Sequence, residues 1–246
     1  MTTFADLEIR SVTHRFGSTT ALSEVNATVR GGTITGLVGR NGAGKTTLAR
    51  LVAAWQPLQS GSIELGGHPV WENPDRTSRV CLMKDTGGFQ DDQPIRRSLR
   101  VHRAARPRWD QDYAMRLLDL FEVPTKKSPD KLSTGKRSAL RAAVALASRA
   151  EVTILDEVYL GMDAVARRLF YDELMADYIA HPRTFILSSH LLDEVEDLME
   201  EVIVLDRGRV VASGDTDGVR QQHSSGSSLA SLTDVLVQIS TAGAQR

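Results

Sequence analysis

Eight residues, Gly39-Arg40-Asn41-Gly42-Ala43-Gly44-Lys45-Thr46, constrain this chain more than any other stretch. An apolar run, Ile34 to Val38, leads in, and Leu48, Leu51 and Val52 follow at helical spacing. The pattern reads strand, glycine-rich turn, helix, which is the context in which such a loop holds nucleotide phosphates. Glycines let the backbone turn sharply and bring its N–H groups onto an anion. The helix N-terminus behind the turn adds partial positive charge. Lys45 is placed to neutralise β- and γ-phosphates, and Thr46 to offer its hydroxyl to Mg²⁺. The loop alone does not choose among kinases, GTPases, helicases, recombinases and transport ATPases.

The length, 246 residues, suits one large α/β domain or two small ones. A formal net charge of −1 leaves no global electrostatic footprint for nucleic acid, and no nucleic-acid partner is expected. Cys81 is the only cysteine, so neither a disulfide framework nor a multi-cysteine zinc site is expected. It lies in Val80-Cys81-Leu82-Met83 and reads as a packed strand residue. The opening MTTFADLEIR does not read as a secretory signal. No apolar stretch reaches the roughly 20 residues of a membrane span. The chain is expected to be soluble and cytoplasmic, with any membrane role coming through a partner.

Residues 4–38 alternate apolar and polar, which predicts strands broken at Gly17 and at Gly31-Gly32. The helix after the loop is expected to end near Pro57. SGSIELGGHPVW predicts a hairpin turning at Gly66-Gly67, and 80–83 a further strand. Between Pro94 and Ala150 the pattern turns helical, with Leu117, Leu118, Leu120 and Phe121 on one face. KRSALRAAVALASRA predicts a long helix. Strands 152–155, 184–188 and 202–205 then alternate with helices at about 164–181 and 191–199, and a hairpin turns at Arg207-Gly208. HSSGSS reads as a linker to a short amphipathic segment from Leu229 to Ile239. The expected fold class is α/β: a phosphate-loop core with a mainly parallel sheet, a β-rich N-terminal part and a helical block at about 94–150.

A second set of residues carries chemistry. VTILDE is a strand ending in Asp156 and Glu157. A strand-end acid can hold Mg²⁺ through its water shell, and an adjacent acid can polarise an attacking water. The same pair also suits a helix N-terminus. In KLSTGKRSA, Ser133 precedes a helix, and a plain N-cap accounts for it. His190 follows the apolar strand of TFILSSH and can be structural or reach a γ-phosphate.

Taken together and in this order, the pieces resemble the ATP-binding-cassette (ABC) ATPase family over residues 4–217. Gly39 to Thr46 matches its Walker A loop, which implies that Gly39, Asn41, Gly42, Ala43, Gly44, Lys45, Thr46 and Thr47 bind ATP, and Phe16, followed by Gly17, stands where the family places an aromatic against adenine. Leu132 to Lys136 sits where the LSGGQ signature belongs, and implies that Ser133, Thr134, Gly135 and Lys136 act on a partner's ATP. Val152 to Asp156 matches Walker B, Glu157 the catalytic glutamate, Leu160 to Asp163 the D-loop and His190 the switch histidine. Lys45, Glu157 and His190 are then the catalytic set, with Thr46 and Asp156 on Mg²⁺. Three departures stand out. The signature reads LSTGK, Asp85 falls where the family has its Q-loop glutamine (and is a further Mg²⁺ ligand candidate), and Val158-Tyr159 replaces a Pro-Thr or Pro-Ser pair.

The resemblance implies one ATPase domain at 1–217 with its helical subdomain at about 94–150, then a Ser/Gly-rich linker and short helix at 218–246. It implies ATP sandwiched between two subunits, in a homodimer or a heterodimer with a related ATPase. A separately encoded membrane permease would be the partner, with the chain peripheral on the cytoplasmic face. Residues 147–196 are similar to Ytr-type bacterial ATPases of the acetoin-utilisation group, which suggests export. A soluble ATP switch acting on a non-membrane partner is the alternative. The arginine run 96–109 is open to three readings: a solvated helix face, a dock for an acidic permease loop or anionic headgroups, or a nucleic-acid contact.

Overall fold

The computed structural model describes residues 4–224 and 229–242. In chain order the elements are β1 (Leu7–Phe16), β2 (Thr19–Val29), β3 (Ile34–Val38), α1 (Lys45–Val52), β4 (Ser60–Leu65), β5 (His68–Pro69), α2 (Pro74–Thr77) and β6 (Val80–Lys84). Then come α3 (Ile95–Ala105), α4 (Gln111–Leu120), α5 (Thr134–Ala147), β7 (Val152–Asp156), α6 (Ala164–Ala180) and β8 (Thr184–Ser188). The chain closes with α7 (Leu192–Val195), β9 (Glu201–Asp206), β10 (Arg209–Asp215), α8 (Thr216–Gln222) and α9 (Leu232–Ala242). Two compact units emerge: Met1–Thr77 with Thr184–Arg246, and Ser78–Arg183.

The first unit holds an antiparallel sheet, β2-β1-β4-β5, and the strand run β10-β9-β3-β8. The alternation at the start of the chain buries Leu7, Ile9, Val12, Leu22, Val25 and Val29. Strand β3 is buried along its whole length, as a strand covered on both faces must be. It pairs in parallel with β8 and β9, while β10 returns antiparallel on β9. Helix α9 docks beside the turn after β8. Leu232 and Val235 are buried, Leu232 N–H donates to Glu196 Oε2 at 2.8 Å, and Thr233 Oγ1 donates to Asp193 Oδ1 at 2.9 Å. The expected serine-rich linker falls partly on 225–228, outside the described residues.

The second unit contains the parallel pair β6–β7 and the helices α3 to α6. Helix α5 is buried from Ser138 through Ala147, and its many alanines let neighbours approach on every side. A shared carboxylate ties the unit together. Asp177 on α6, nearly inaccessible, pairs with Arg149 and with Arg183 Nη2 at 2.5 Å. Arg149 also donates to Asp110 Oδ2 at 3.0 Å, the residue that caps α4 through Tyr113 N–H at 2.9 Å. Burial, and then the neighbouring Arg149, pull the Arg183 guanidinium down to about 10.

Three expectations need correction. Helix α1 stops at Val52 rather than near Pro57, because Ala54 turns left-handed (φ 52°). Trp55 N–H then closes on Arg50 C=O at 2.8 Å and Ala54 N–H on Leu51 C=O at 3.0 Å, a Schellman ending without its usual glycine. The helix expected over 191–199 is a four-residue turn followed by a 3₁₀ turn at Glu196–Leu198. Leu120 is not on the buried face of α4: Ala114, Leu117 and Leu118 fill it, and Leu120 faces out.

Replacing Asp177 with Ala takes the carboxylate from the buried Arg183 guanidinium and one of two carboxylates from the half-buried Arg149. The expected loss is about 3–5 kcal/mol in urea unfolding. A loss under about 1 kcal/mol would mean that the pair is held by packing alone.

Candidate nucleotide site

The phosphate loop leaves the C-terminal end of β3, the edge at which ligands bind in parallel sheets. Gly44 is the N-cap of α1 with φ 107°, a conformation that disfavours side chains, and a Cβ there would lie 2.7 Å from Ala21 C=O. No side chain caps α1, so its first amides face the loop without a capping oxygen. Lys45 is buried, and its Nζ donates to Gly39 C=O at 2.6 Å and Arg40 C=O at 3.2 Å, which centres the ammonium inside the loop. Asn41 and Gly42 are exposed, Ala43 is buried, and Thr46 and Thr47 are half-buried at the start of the helix.

The loop is braced by residues that the motif does not contain. Gly208, in the β9–β10 turn, donates its N–H to Ala43 C=O at 3.0 Å and accepts from Ser23 N–H at 2.8 Å. No motif pointed to Gly208. Its signal was only a glycine after Arg207 between two apolar strands.

His190 follows β8 and is exposed. The β3–β8 register places Leu37 opposite Ser188, so His190 leaves the same strand edge as the phosphate loop. Phe16 ends β1 opposite Thr19, with 47% of its surface exposed and its ring edge-on to His14 at 4.9 Å. Burial pushes the His14 imidazole down from its ordinary value. The buried His14 ring thus supports the exposed phenyl edge-on.

In the second unit, β6 and β7 pair so that Lys84 lies opposite Asp156. Asp85 and Glu157 therefore leave adjacent strand ends. Asp156 is buried, and its Oδ1 has no protein partner among the described residues. A buried acceptor without a donor is costly, and a metal-bound water supplies the missing donor, so the residue fits the Mg²⁺ role. Glu157 has φ 55°, uncommon for a side chain of its size and often found where geometry serves chemistry. Asp85 accepts from Thr86 Oγ1 at 3.4 Å. It also acts at a distance on Arg141 of α5, whose guanidinium is lowered first by burial and then by Arg137, against the opposing pull of Asp85 and Asp91. Arg141 Nε donates to Gly87 C=O at 3.3 Å and so holds the loop that carries Asp85. No spacing in the sequence marks Arg141.

The stretch Leu132 to Lys136 begins α5. Ser133 Oγ accepts from Lys136 N–H at 3.3 Å, a true N-cap, and the residue remains exposed. The D-loop turn, Leu160 to Asp163 (the D-turn), packs directly on it. A Cβ on Gly135 would sit 2.8 Å from Gly161 C=O, and Ser138 Oγ donates to Leu160 C=O. Lys136 is turned back within its own unit: its Nζ donates to Glu122 C=O at 2.9 Å and lies 3.4 Å from Glu122 Oε2. Val158 and Tyr159 are buried, Tyr159 with its ring 6.4 Å from that of Tyr171 on α6. The unusual pair therefore serves packing. A groove of about 640 Å³ opens beside the signature, lined in part by Leu120, Phe121, Lys136, Met162, Val165 and Leu169.

With this geometry in view, residues 22–159 match the family model for ABC transporters. The chain belongs to the ABC transporter family. The ABC chain is 30% identical over 218 residues to the ABC transporter ATP-binding protein YtrB of Bacillus subtilis (strain 168), covering 88% of this chain and 74% of that protein. It is 31% identical over 219 residues to the daunorubicin resistance ATP-binding protein DrrA3 of Streptomyces coeruleorubidus, covering 85% and 67%. A Nod factor export ATP-binding protein I, from Burkholderia lata, is 29% identical over 85% of this chain and 71% of its own length. In fold, the chain superposes on an ATP-binding subunit of an ABC transporter with a TM-score of 0.82, at 23% identity, over 95% of this chain and 99% of that one. The protein is thus an ABC ATPase with an ATP-binding domain. Among the described residues, no helix is long and apolar enough to cross a membrane.

Gly161 has φ 86°, and a Cβ on it would meet the Thr134 methyl at 2.5 Å. Gly161→Ala is therefore expected to destabilise the protein by about 1–3 kcal/mol in denaturant unfolding. An unchanged midpoint would show that the D-turn yields freely.

Proposed function

We propose that this ABC ATPase is the energising subunit of an exporter, working as a dimer around ATP and driving a separately encoded permease from the cytoplasmic face of the membrane. The observation that carries the reading is the exposed Ser133 at the head of α5, a helix start held in place by the contacts of Gly135 and Ser138 with the D-turn, residues 160–163. A phosphate-facing helix start displayed on the surface suits a nucleotide held by another subunit. The name of one relative above, a Nod factor export ATP-binding protein, supports the direction of transport.

The residues divide the work. Lys45 and the amides from Gly39 to Thr47 hold the β- and γ-phosphates, and Phe16 stacks on adenine. Thr46 and Asp156 hold Mg²⁺, with Asp85 as a further acid nearby in sequence to β6; the ion supplies neutralisation of phosphate charge. Glu157 orients and polarises the attacking water. His190 contacts the γ-phosphate. Ser133, Thr134, Gly135 and Lys136 complete the partner's site. ATP favours the closed dimer because it contacts both subunits only there.

Glu157→Gln is expected to slow hydrolysis by about 10²–10⁴-fold and to trap an ATP-bound dimer on size exclusion. A monomer under saturating ATP would remove the dimer from the reading. The tagged wild-type chain, drawn from gently solubilised membranes, is expected to carry a stoichiometric polytopic protein that accelerates its hydrolysis. Soluble partners alone would turn the assignment to an ATP switch.

A further inference from the structure

Helix α3 carries a charge pattern that ATP chemistry does not use. Ile95, Ser98 and Leu99 are buried, and His102 is half-buried, its Nε2 2.9 Å from Gly88 C=O. Arg96, Arg97, Arg100 and Arg103 are all exposed. At about 100° per residue, the four cover roughly a third of the helix circumference, on the side away from the buried stripe.

Two facts separate this face from an ordinary solvated one. Several exposed arginines elsewhere meet carboxylates, Arg10 with Glu64, Arg116 with Glu173 and Arg168 with Asp172, whereas Arg15, Arg40 and Arg108 form no ion pair among the described residues. On α3, Arg97 donates to Gln93 Oε1 at 2.9 Å, and none of the four forms an ion pair among the described residues. No acid occurs in sequence between Asp92 and Asp110. The rest of the molecule also opposes them. Removing four positive charges from a formal net charge of −1 leaves the remainder at −5. A remainder of that sign favours an approach that turns the α3 face toward an anionic surface.

We infer that α3 docks directly on an anionic bilayer, its arginines on lipid phosphates and Val101 at the edge of the acyl region. Guanidinium forks match phosphate oxygens in pairs, which lysine cannot do. Val101 is 64% exposed among the arginines, the pairing of apolar and basic groups that an interfacial helix presents. The guanidiniums also stand on the outer, convex side of a helix. That shape meets a plane of headgroups, whereas an amphipathic peptide partner is gripped in a groove. The inference goes beyond the exporter reading and is independent of it, because it requires neither a permease nor ATP.

The test is co-sedimentation of the full chain with vesicles of phosphatidylglycerol and phosphatidylcholine, against vesicles of phosphatidylcholine alone. Binding is expected only to the first, weakening as salt rises. Affinity should fall on the order of fivefold for each of Arg96→Gln, Arg100→Gln and Arg103→Gln. The double reversal Arg100→Glu with Arg103→Glu should abolish binding, with thermal unfolding and basal ATP hydrolysis unchanged. Val101→Ser should weaken it, and Arg168→Glu should not. No binding of the wild type to anionic vesicles overturns the inference, as does binding indifferent to the α3 substitutions. Capture of an acidic peptide by α3 in place of vesicles also overturns it, and assigns the face to a protein partner.

Discussion

The carbonyl of Ala43 accepts a hydrogen bond from Gly208, and much of the molecule's first unit is arranged around that bond. A phosphate loop must hold its amides pointing inward although their natural partner is a ligand. Left to itself, such a glycine-rich turn has many conformations to lose on binding. Here the β9–β10 turn fixes it from one side and β2 from the other, since Gly208 in turn accepts from Ser23. The close contact of Gly44 with Ala21 C=O completes the clamp. The loop is therefore preorganised by strands remote in sequence, and the antiparallel sheet contributes to it as a scaffold through Ala21 and Ser23 of β2.

The core and the phosphate loop were legible because each rests on a periodic or local signal. Alternation marked β1 and β2, apolar runs marked β3, β7 and β8, and glycine pairs marked the hairpin at Gly66-Gly67. Helix ends were much less legible, for one shared reason. Ala54, Glu122 and Arg149 all take the left-handed position after a helix, where glycine is the expected signal. Two of these non-glycine caps then contribute side chains: Glu122 receives Lys136, and Arg149 binds Asp177. A conformation disfavoured locally is retained where tertiary contacts offset it. Arg141 was missed because its partners, Gly87 and Asp85, are brought near by folding alone.

The departures from the family pattern become intelligible when read as packing. Val158-Tyr159 fills space against α6, where a Pro-Thr pair would remove one of the two rings, Tyr159 and Phe170, that stand beside Tyr171. Lys136 brings a charge to the signature, yet the structure turns that charge onto Glu122 in the same subunit. An exposed pair of this kind is weak and screened by salt, so it sets a resting position without locking it. Asp85 brings negative charge to the Q-loop position, and Arg141 from the signature helix lies within its electrostatic reach.

The docking of α9 has a consequence for how the protein is made. Asp193, three residues past His190, is held by Thr233, forty residues later in the chain. Glu196 likewise receives the backbone of Leu232. On the ribosome, domains take shape as their segments emerge. The phosphate loop, β3 and β8 all leave the exit tunnel before the segment that steadies the turn after His190. The nascent chain thus exposes the residues of its phosphate loop first, the Gly208 turn that braces the loop next, and the brace for its histidine turn after both.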